Sequence, residues 1–167
     1  MHYSEKLSRE EGLREGSIPS RHLYNKMKYS FFVNGIAKPK GSKTLVRVKS
    51  GRYTMRESAG VPLKDWMKAV SLQASQTFSE PMGGPIQLYL TFYMRKPKRM
   101  KRELPCVRPD LDKLIRGVND ALSNIAFFDD SQVVVVLGRK VYAKDTNAQG
   151  CFIQVGTYEE YQISNEP

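Results

Sequence analysis

Apolar and polar positions change period several times along this chain, and each change marks an element. The stretch "MKYSFFVNG", starting at Met27, is rich in aromatic and β-branched residues and stops at an Asn-Gly turn signal, which predicts a strand. "TLVRVKSGRYTM" alternates apolar with basic residues about Ser50 and Gly51 and predicts a hairpin. Between Pro62 and Phe78 the residues Leu63, Trp66, Met67, Val70 and Ala74 recur at helical spacing, and "PMGGP" ends that helix. "IQLYLTFYM" predicts a second strong strand. In "PDLDKLIRGVNDALSNI" the residues Leu111, Leu114, Ile115, Val118, Leu122 and Ile125 form an apolar stripe of helical period, with Pro109 and its neighbouring aspartates suited to the helix start. "SQVVVVLGRKVYA" is too apolar to alternate and predicts a central strand, and "GCFIQVGTY" predicts one more. The sum is an α+β fold: a mostly antiparallel or mixed β-sheet with two main α-helices in a single domain. Residues 1–26 carry charges of both signs and only scattered apolar residues, so they read as a loosely ordered N-terminal extension or a short helix before a domain spanning 27–167.

Composition narrows the class. A chain of 167 residues suffices for one domain with its own core. Its 40% hydrophobic and 26% charged residues are those of an ordinary soluble globular protein. No apolar run approaches the ~20 residues of a membrane span, and the amino terminus lacks the apolar core of a secretory signal, so the expected location is the cytoplasm. Cys106 and Cys151 stand far apart without metal-ligand spacing, which predicts two free thiols and no zinc site.

Charge changes the picture more. The formal net charge is +10, which attracts polyanions. From Lys38 to Arg56 the basic residues Lys38, Lys40, Lys43, Arg47, Lys49, Arg52 and Arg56 meet no acid; from Arg95 to Arg108 stand Arg95, Lys96, Lys98, Arg99, Lys101, Arg102 and Arg108 against Glu103 alone. Between these runs and the apolar strand the sign reverses, with Asp110, Asp112, Asp120, Asp129 and Asp130 against Lys113 and Arg116. Two basic runs flanking a carboxylate cluster point to nucleic acid.

Helix capping explains one or two of Asp110 and Asp112, and a turn can use one of Asp129 and Asp130. The functional alternative is geometric. Residues two apart on an extended segment point the same way, so Asp110 and Asp112 can converge, and Asp129 or Asp130 can complete the group where the chain returns to the sheet. Such carboxylates are hard oxygen ligands that suit magnesium or manganese, and a divalent ion so held serves phosphodiester hydrolysis. The chain's histidines, His2 and His22, both precede the expected domain, so histidine-based nucleophilic or zinc chemistry has no base there. No phosphate-binding GxxxxGK[ST] loop is present, which argues against a nucleotide cofactor. Arg116, one turn beyond Asp112, either joins a ladder of surface ion pairs with Asp120 or reaches a phosphate.

The segment "RPDLDKLIRGVNDALSNIAFFDDSQVV", with its Pro-Asp-x-Asp, helix and Asp-Asp-x-Gln, resembles the signature of the RusA family of Holliday junction resolvases, and "FFVNGIAKPKGS" resembles that family's opening strand and basic loop. The resemblance covers roughly Met27 to Val155. It implies a small homodimeric endonuclease, of a kind common in prophages, that binds four-way DNA junctions and cuts symmetrically in recombination and repair with Mg2+, for which Mn2+ can substitute. Carried over by position, Asp110, Asp112 and Asp130 are the catalytic, metal-holding carboxylates. Arg116 stands where the family usually has a catalytic Lys, and Lys113 where many members have Asn. Arginine keeps the charge but hardly deprotonates, so electrostatic stabilisation is the role left to Arg116. The expected DNA-binding residues are Lys38, Lys40, Lys43, Arg47, Arg95, Lys96, Lys98, Arg99, Lys101, Arg102 and Lys113. Two other functions fit the same residues: a branched-DNA-binding protein that does not cut, and a flap or single-strand nuclease with the same metal site.

Overall fold

The computed structural model of the chain describes residues 27–41, 43–57, 60–145 and 148–158; the expected extension, residues 1–26, lies outside them. The elements in order are β1 (Met27–Asn34), β2 (Lys43–Arg47), β3 (Tyr53–Glu57), α1 (Gly60–Thr77), β4 (Ile86–Met94), α2 (Leu111–Leu122), β5 (Val133–Tyr142) and β6 (Gly150–Thr157), with a 3-10 turn at Asp130–Gln132 leading into β5. β2 and β3 pair as the expected hairpin. The other four strands form one mixed sheet in the order β1-β6-β4-β5, in which β6 runs antiparallel to both neighbours and β4 lies parallel to β5. Parallel neighbours need a crossover, and α2 supplies it.

One face of this sheet makes the core. Strand alternation aims Ile86, Leu88, Leu90 and Phe92 of β4 the same way, joined by Phe31 and Val33 of β1 and Cys151, Ile153 and Val155 of β6. Onto them pack Leu63, Trp66, Val70 and Ala74 of α1 and Leu114, Val118, Ala121 and Leu122 of α2, the stripes that the helical periods predict. Each buried large apolar side chain contributes about 1.5–3 kcal/mol, so this two-layer contact is the main stabilising feature. The glycine at 138 lets α2 settle on β5, because a Cβ there would stand 2.7 Å from Cδ1 of Ile115. The α+β expectation, two helices on a mixed sheet, is borne out.

One strand sits elsewhere than its composition suggests. The valine run predicts a central strand, yet among the described residues β5 is an edge strand, bonded to β4 alone. Its register with β4 is irregular next to Val133–Val135, which divides the valines between destinations. Val133 and Val136 pack against the core, whereas Val134 is 55% exposed and Leu137 41%. The apolarity of the run thus reflects two surfaces, one under α2 and one on the opposite sheet face, where Leu137 lies beside Tyr89 and Thr91.

Candidate active site

β4 ends at Met94 and leads into the second basic run, and that loop ends where α2 begins, so Asp110 and Asp112 stand at the same end of the sheet as the loop's cations. Asp110 is the N-cap of α2, extended at φ −68° and ψ 138°, and its carbonyl accepts from Leu114 N at 3.2 Å. Its side chain makes no capping bond. Oδ2 instead accepts from Lys113 Nζ at 2.7 Å. That hydrogen bond and the Lys113 charge, with smaller contributions from Arg108 and Lys140, hold the Asp110 carboxyl below the usual carboxylate range. Asp112 lies exposed in the first turn, where the positive end of the helix dipole also favours an anion.

A second segment closes on this helix end. Lys40 N donates to Lys113 O at 2.9 Å, and Lys40 Nζ pairs with Asp120. Glycine at 117 permits the approach: a Cβ there would lie 3.4 Å from Lys38 O. The result is an open cleft of about 480 Å³ with Ile36, Pro39 and Met94 as its apolar wall, Lys38, Arg108 and Lys113 as its cations, and Asp110 among them. Asp110 is therefore a carboxylate set within a cluster of positive charge, with one oxygen taken by the Lys113 ammonium.

Lys140 of β5 donates to Val107 O at 2.7 Å and to Pro109 O at 2.9 Å, on the segment that delivers Asp110. Arg116 is exposed on α2, and Asp120 is the partner of Lys40. Among the expected DNA-binding residues, Arg95, Lys96, Lys98, Arg99, Lys101 and Arg102 are exposed on the β4–α2 loop, and Lys96 Nζ stands 5.6 Å from the Tyr142 ring centre. Lys38 and Lys113 line the cleft. Arg47 is exposed at the end of β2, whose first residue is Lys43.

Asp129 and Asp130 lie at the far end of α2. The Asp129 carboxylate accepts from Ser131 N at 2.9 Å, and Gln132 Oε1 accepts from Asp129 N at 3.0 Å, so the pair forms a capping box around the 3-10 turn. Gln132 Nε2 then donates to Gly84 O at 2.9 Å, tying this turn to the start of β4. Asp130 is exposed. The 12 residues of α2 rise about 18 Å between the two carboxylate groups. The sequence leaves room for the chain to return beside Asp110; a parallel crossover instead brings it back to the end of the sheet where β4 began. Among the described residues no group of three or more His, Cys, Asp or Glu is disposed to hold a metal ion.

Sequence reasoning passed over Lys140 as part of an apolar strand and counted Arg108 in a basic run without assigning it to the site. Strand parity was the available signal for Lys140, since it shares a face with Gly138 and pairs with the buried Phe92.

Comparison with known proteins agrees with these motifs. A protein of Bacillus subtilis (strain 168) described as "Uncharacterized protein YqaN" is 30% identical over 125 residues, covering 67% of this chain and 83% of the relative. The profile of the family described as "Endodeoxyribonuclease RusA" matches residues 35–155, from the end of β1 into β6 with the whole cleft and both carboxylate groups inside. The chain belongs to the endodeoxyribonuclease RusA family.

Proposed function

We propose that this protein is a divalent-metal-dependent endodeoxyribonuclease that resolves four-way DNA junctions, with Asp110 and Asp112 as carboxylates of the catalytic site. The observation that carries this is a pair of exposed carboxylates at a helix N-terminus, Asp110 held below the usual carboxylate range by Lys113, beside a cleft whose cations are Lys38, Arg108 and Lys113. Hard carboxylate oxygens fit Mg2+ or Mn2+. When bound, such an ion polarises a phosphoryl oxygen and lowers the pKa of a water. The chain's own cations do the rest: the three cleft residues seat the phosphate, and Arg116, one turn along α2, adds fixed positive charge where negative charge develops.

Asp130 enters through assembly. A two-fold axis across the open edge of β5 would pair two copies of that strand antiparallel. Exposed Val134 and Leu137 on an uncovered edge support such pairing, because a long apolar edge strand otherwise invites aggregation. Antiparallel pairing brings the start of one β5 towards the end of the other, so Asp130 of the partner subunit would face Asp110 and Asp112. A homodimer would then carry two equivalent sites for the two strands of a junction.

Cleavage of a four-way junction, measured with and without Mg2+ and in competition with flap and linear duplex DNA, tests this. Asp112→Asn should cut at least a hundredfold more slowly while binding the junction in calcium as the parent does; Asp112 is exposed in the first turn of α2 and Asn is its near isostere, so folding should be kept. Full cutting by Asp112→Asn would remove Asp112 from the site. Binding without any cutting by the parent would favour a non-catalytic junction binder, and preference for flaps a flap nuclease.

A further inference from the structure

Lys140 occupies an unusual place for a charge. In the parallel register of β4 and β5 it stands opposite Phe92, and strand alternation turns it to the face that carries Leu88, Leu90 and Gly138, the face covered by the helices. Lys140 is partly buried, and its ammonium reaches past the helical layer. It finds two main-chain carbonyls, Val107 O at 2.7 Å and Pro109 O at 2.9 Å. Both belong to the irregular segment between the basic loop and α2, and the Pro109 carbonyl is part of the peptide bond to Asp110. α2's own backbone bonding begins after these carbonyls, at Asp110 O, so the helix cannot satisfy them.

We infer that Lys140 is a positioning residue for the carboxylate pair: by clamping Val107 and Pro109 to the end of β5, it fixes the direction in which Asp110 leaves the loop and Asp112 enters the helix. The rigid sheet thereby holds one end of a segment that otherwise carries exposed basic residues and no regular structure. Supporting groups behind metal ligands typically contribute about 10–100-fold to metal affinity or activity. Lys140 thus acts on metal binding and turnover, and not on DNA affinity.

The test uses the full chain with Lys140→Met, which keeps length and loses both donors, and Lys140→Arg, which keeps charge and donors. Mn2+ binding is followed by electron paramagnetic resonance without DNA, junction affinity in calcium, and cleavage at saturating junction. Lys140→Met should bind Mn2+ roughly tenfold more weakly and cut at least tenfold more slowly, with junction affinity within about twofold of the parent. Lys140→Arg should recover most of both losses. Parental Mn2+ binding and cutting in Lys140→Met would overturn the inference. So would a loss confined to junction affinity with the salt slope lowered by about one, the mark of a phosphate contact. Should Lys140→Met not fold, Lys140→Gln takes its place, and failure of both to melt cooperatively would make Lys140 a residue of the fold instead. The inference rests on Asp110 and Asp112 holding the metal, so Asp110→Asn is measured alongside. Normal Mn2+ binding and cutting by Asp110→Asn would refute that assignment; their loss in Asp110→Asn with Lys140→Met unimpaired would refute only the role of Lys140.

Discussion

Asp110 and Asp129 both stand at the first position of a helical turn, and their side chains do different things there. The carboxylate of Asp129 is held below the usual range by the Ser131 side chain first and by the Ser131 backbone N–H that it accepts second. The carboxylate of Asp110 caps nothing and faces Lys113. Asp129→Ala should therefore lower the melting temperature by a few degrees at neutral pH and leave cleavage near normal, whereas Asp130→Asn should melt like the parent and fail to cut. The sign of the pH effect follows from the depressed pKa: the stabilisation from Asp129 is present above its ordinary value of 3.8 and disappears as pH falls through the lower native value. The melting difference between parent and Asp129→Ala should hold from neutrality down to about pH 4 and close below it. A difference that persists at lower pH would show that the carboxylate is not its source. Lys113 offers a second test at this scale, because its ammonium sits on an oxygen that a metal ion would need. Lys113→Asn should raise Mn2+ affinity in the absence of DNA and reduce the salt slope of junction binding by about one, as one phosphate contact is lost. Unchanged values of both would mean that the Lys113–Asp110 pair is only an exposed ion pair of little consequence.

At the scale of elements, what could be read from the sequence was what depends on local periodicity. The stripe Leu114, Val118 and Leu122 marks the buried face of α2 whatever lies beneath it, and Leu63, Trp66, Val70 and Ala74 do the same for α1. The position of β5 was not legible, because apolarity reports burial and not which neighbour supplies it: Val136 lies under the helical layer, while Leu137 faces the other side of the sheet and Val134 is exposed. The carboxylates divide the same way. Asp110 and Asp112 share the start of α2, a local property, but Asp110 alone is extended and Asp112 lies within the helical turn, so the extended-segment geometry expected for the two does not hold. Whether Asp130 joins them depends on strand direction, and a parallel pairing of β4 with β5 puts α2's full length between them. Lys140 was hidden for a related reason, since its partners, the Val107 and Pro109 carbonyls, leave no trace in composition. The capping role of Asp129 was visible in outline, as Asp-x-x-Gln is a capping-box pattern.

For the whole molecule, the exposed cations of the β4–α2 loop and the net charge of +10 predict that phosphate contacts dominate DNA binding. If about six phosphates are neutralised, log K for the junction should fall against log[salt] with a slope near −5. Replacing Arg99, Lys101 and Arg102 together by Ala should flatten that slope and weaken binding to junction, flap and duplex alike; an unchanged slope would assign the loop to solvation.

Assembly gives the most direct test of how the carboxylates divide between subunits. Suppose each site takes Asp110 and Asp112 from one subunit and Asp130 from its partner. Homodimers of Asp110→Asn and of Asp130→Asn then each carry two damaged sites and should not cut. In a mixed dimer both substitutions fall in the same site, and the other site receives only unaltered carboxylates. Co-refolding the two inactive variants in equal amounts should thus restore roughly one site in four. Each restored dimer has a single working site, so the product should be a nicked junction and not a symmetrically resolved pair of duplexes. If every site were built within one chain, a mixed dimer would have one site lacking Asp110 and the other lacking Asp130, and mixing would restore nothing. A charge at the β5 edge adds the structural control: Leu137→Lys, at a position 41% exposed, should yield a folded monomer by sedimentation that cannot complement either variant. A Leu137→Lys protein that remains dimeric and still complements would place the subunit contact on another face, and no complementation with dimers intact would return Asp130 to the fold or to its own chain's chemistry.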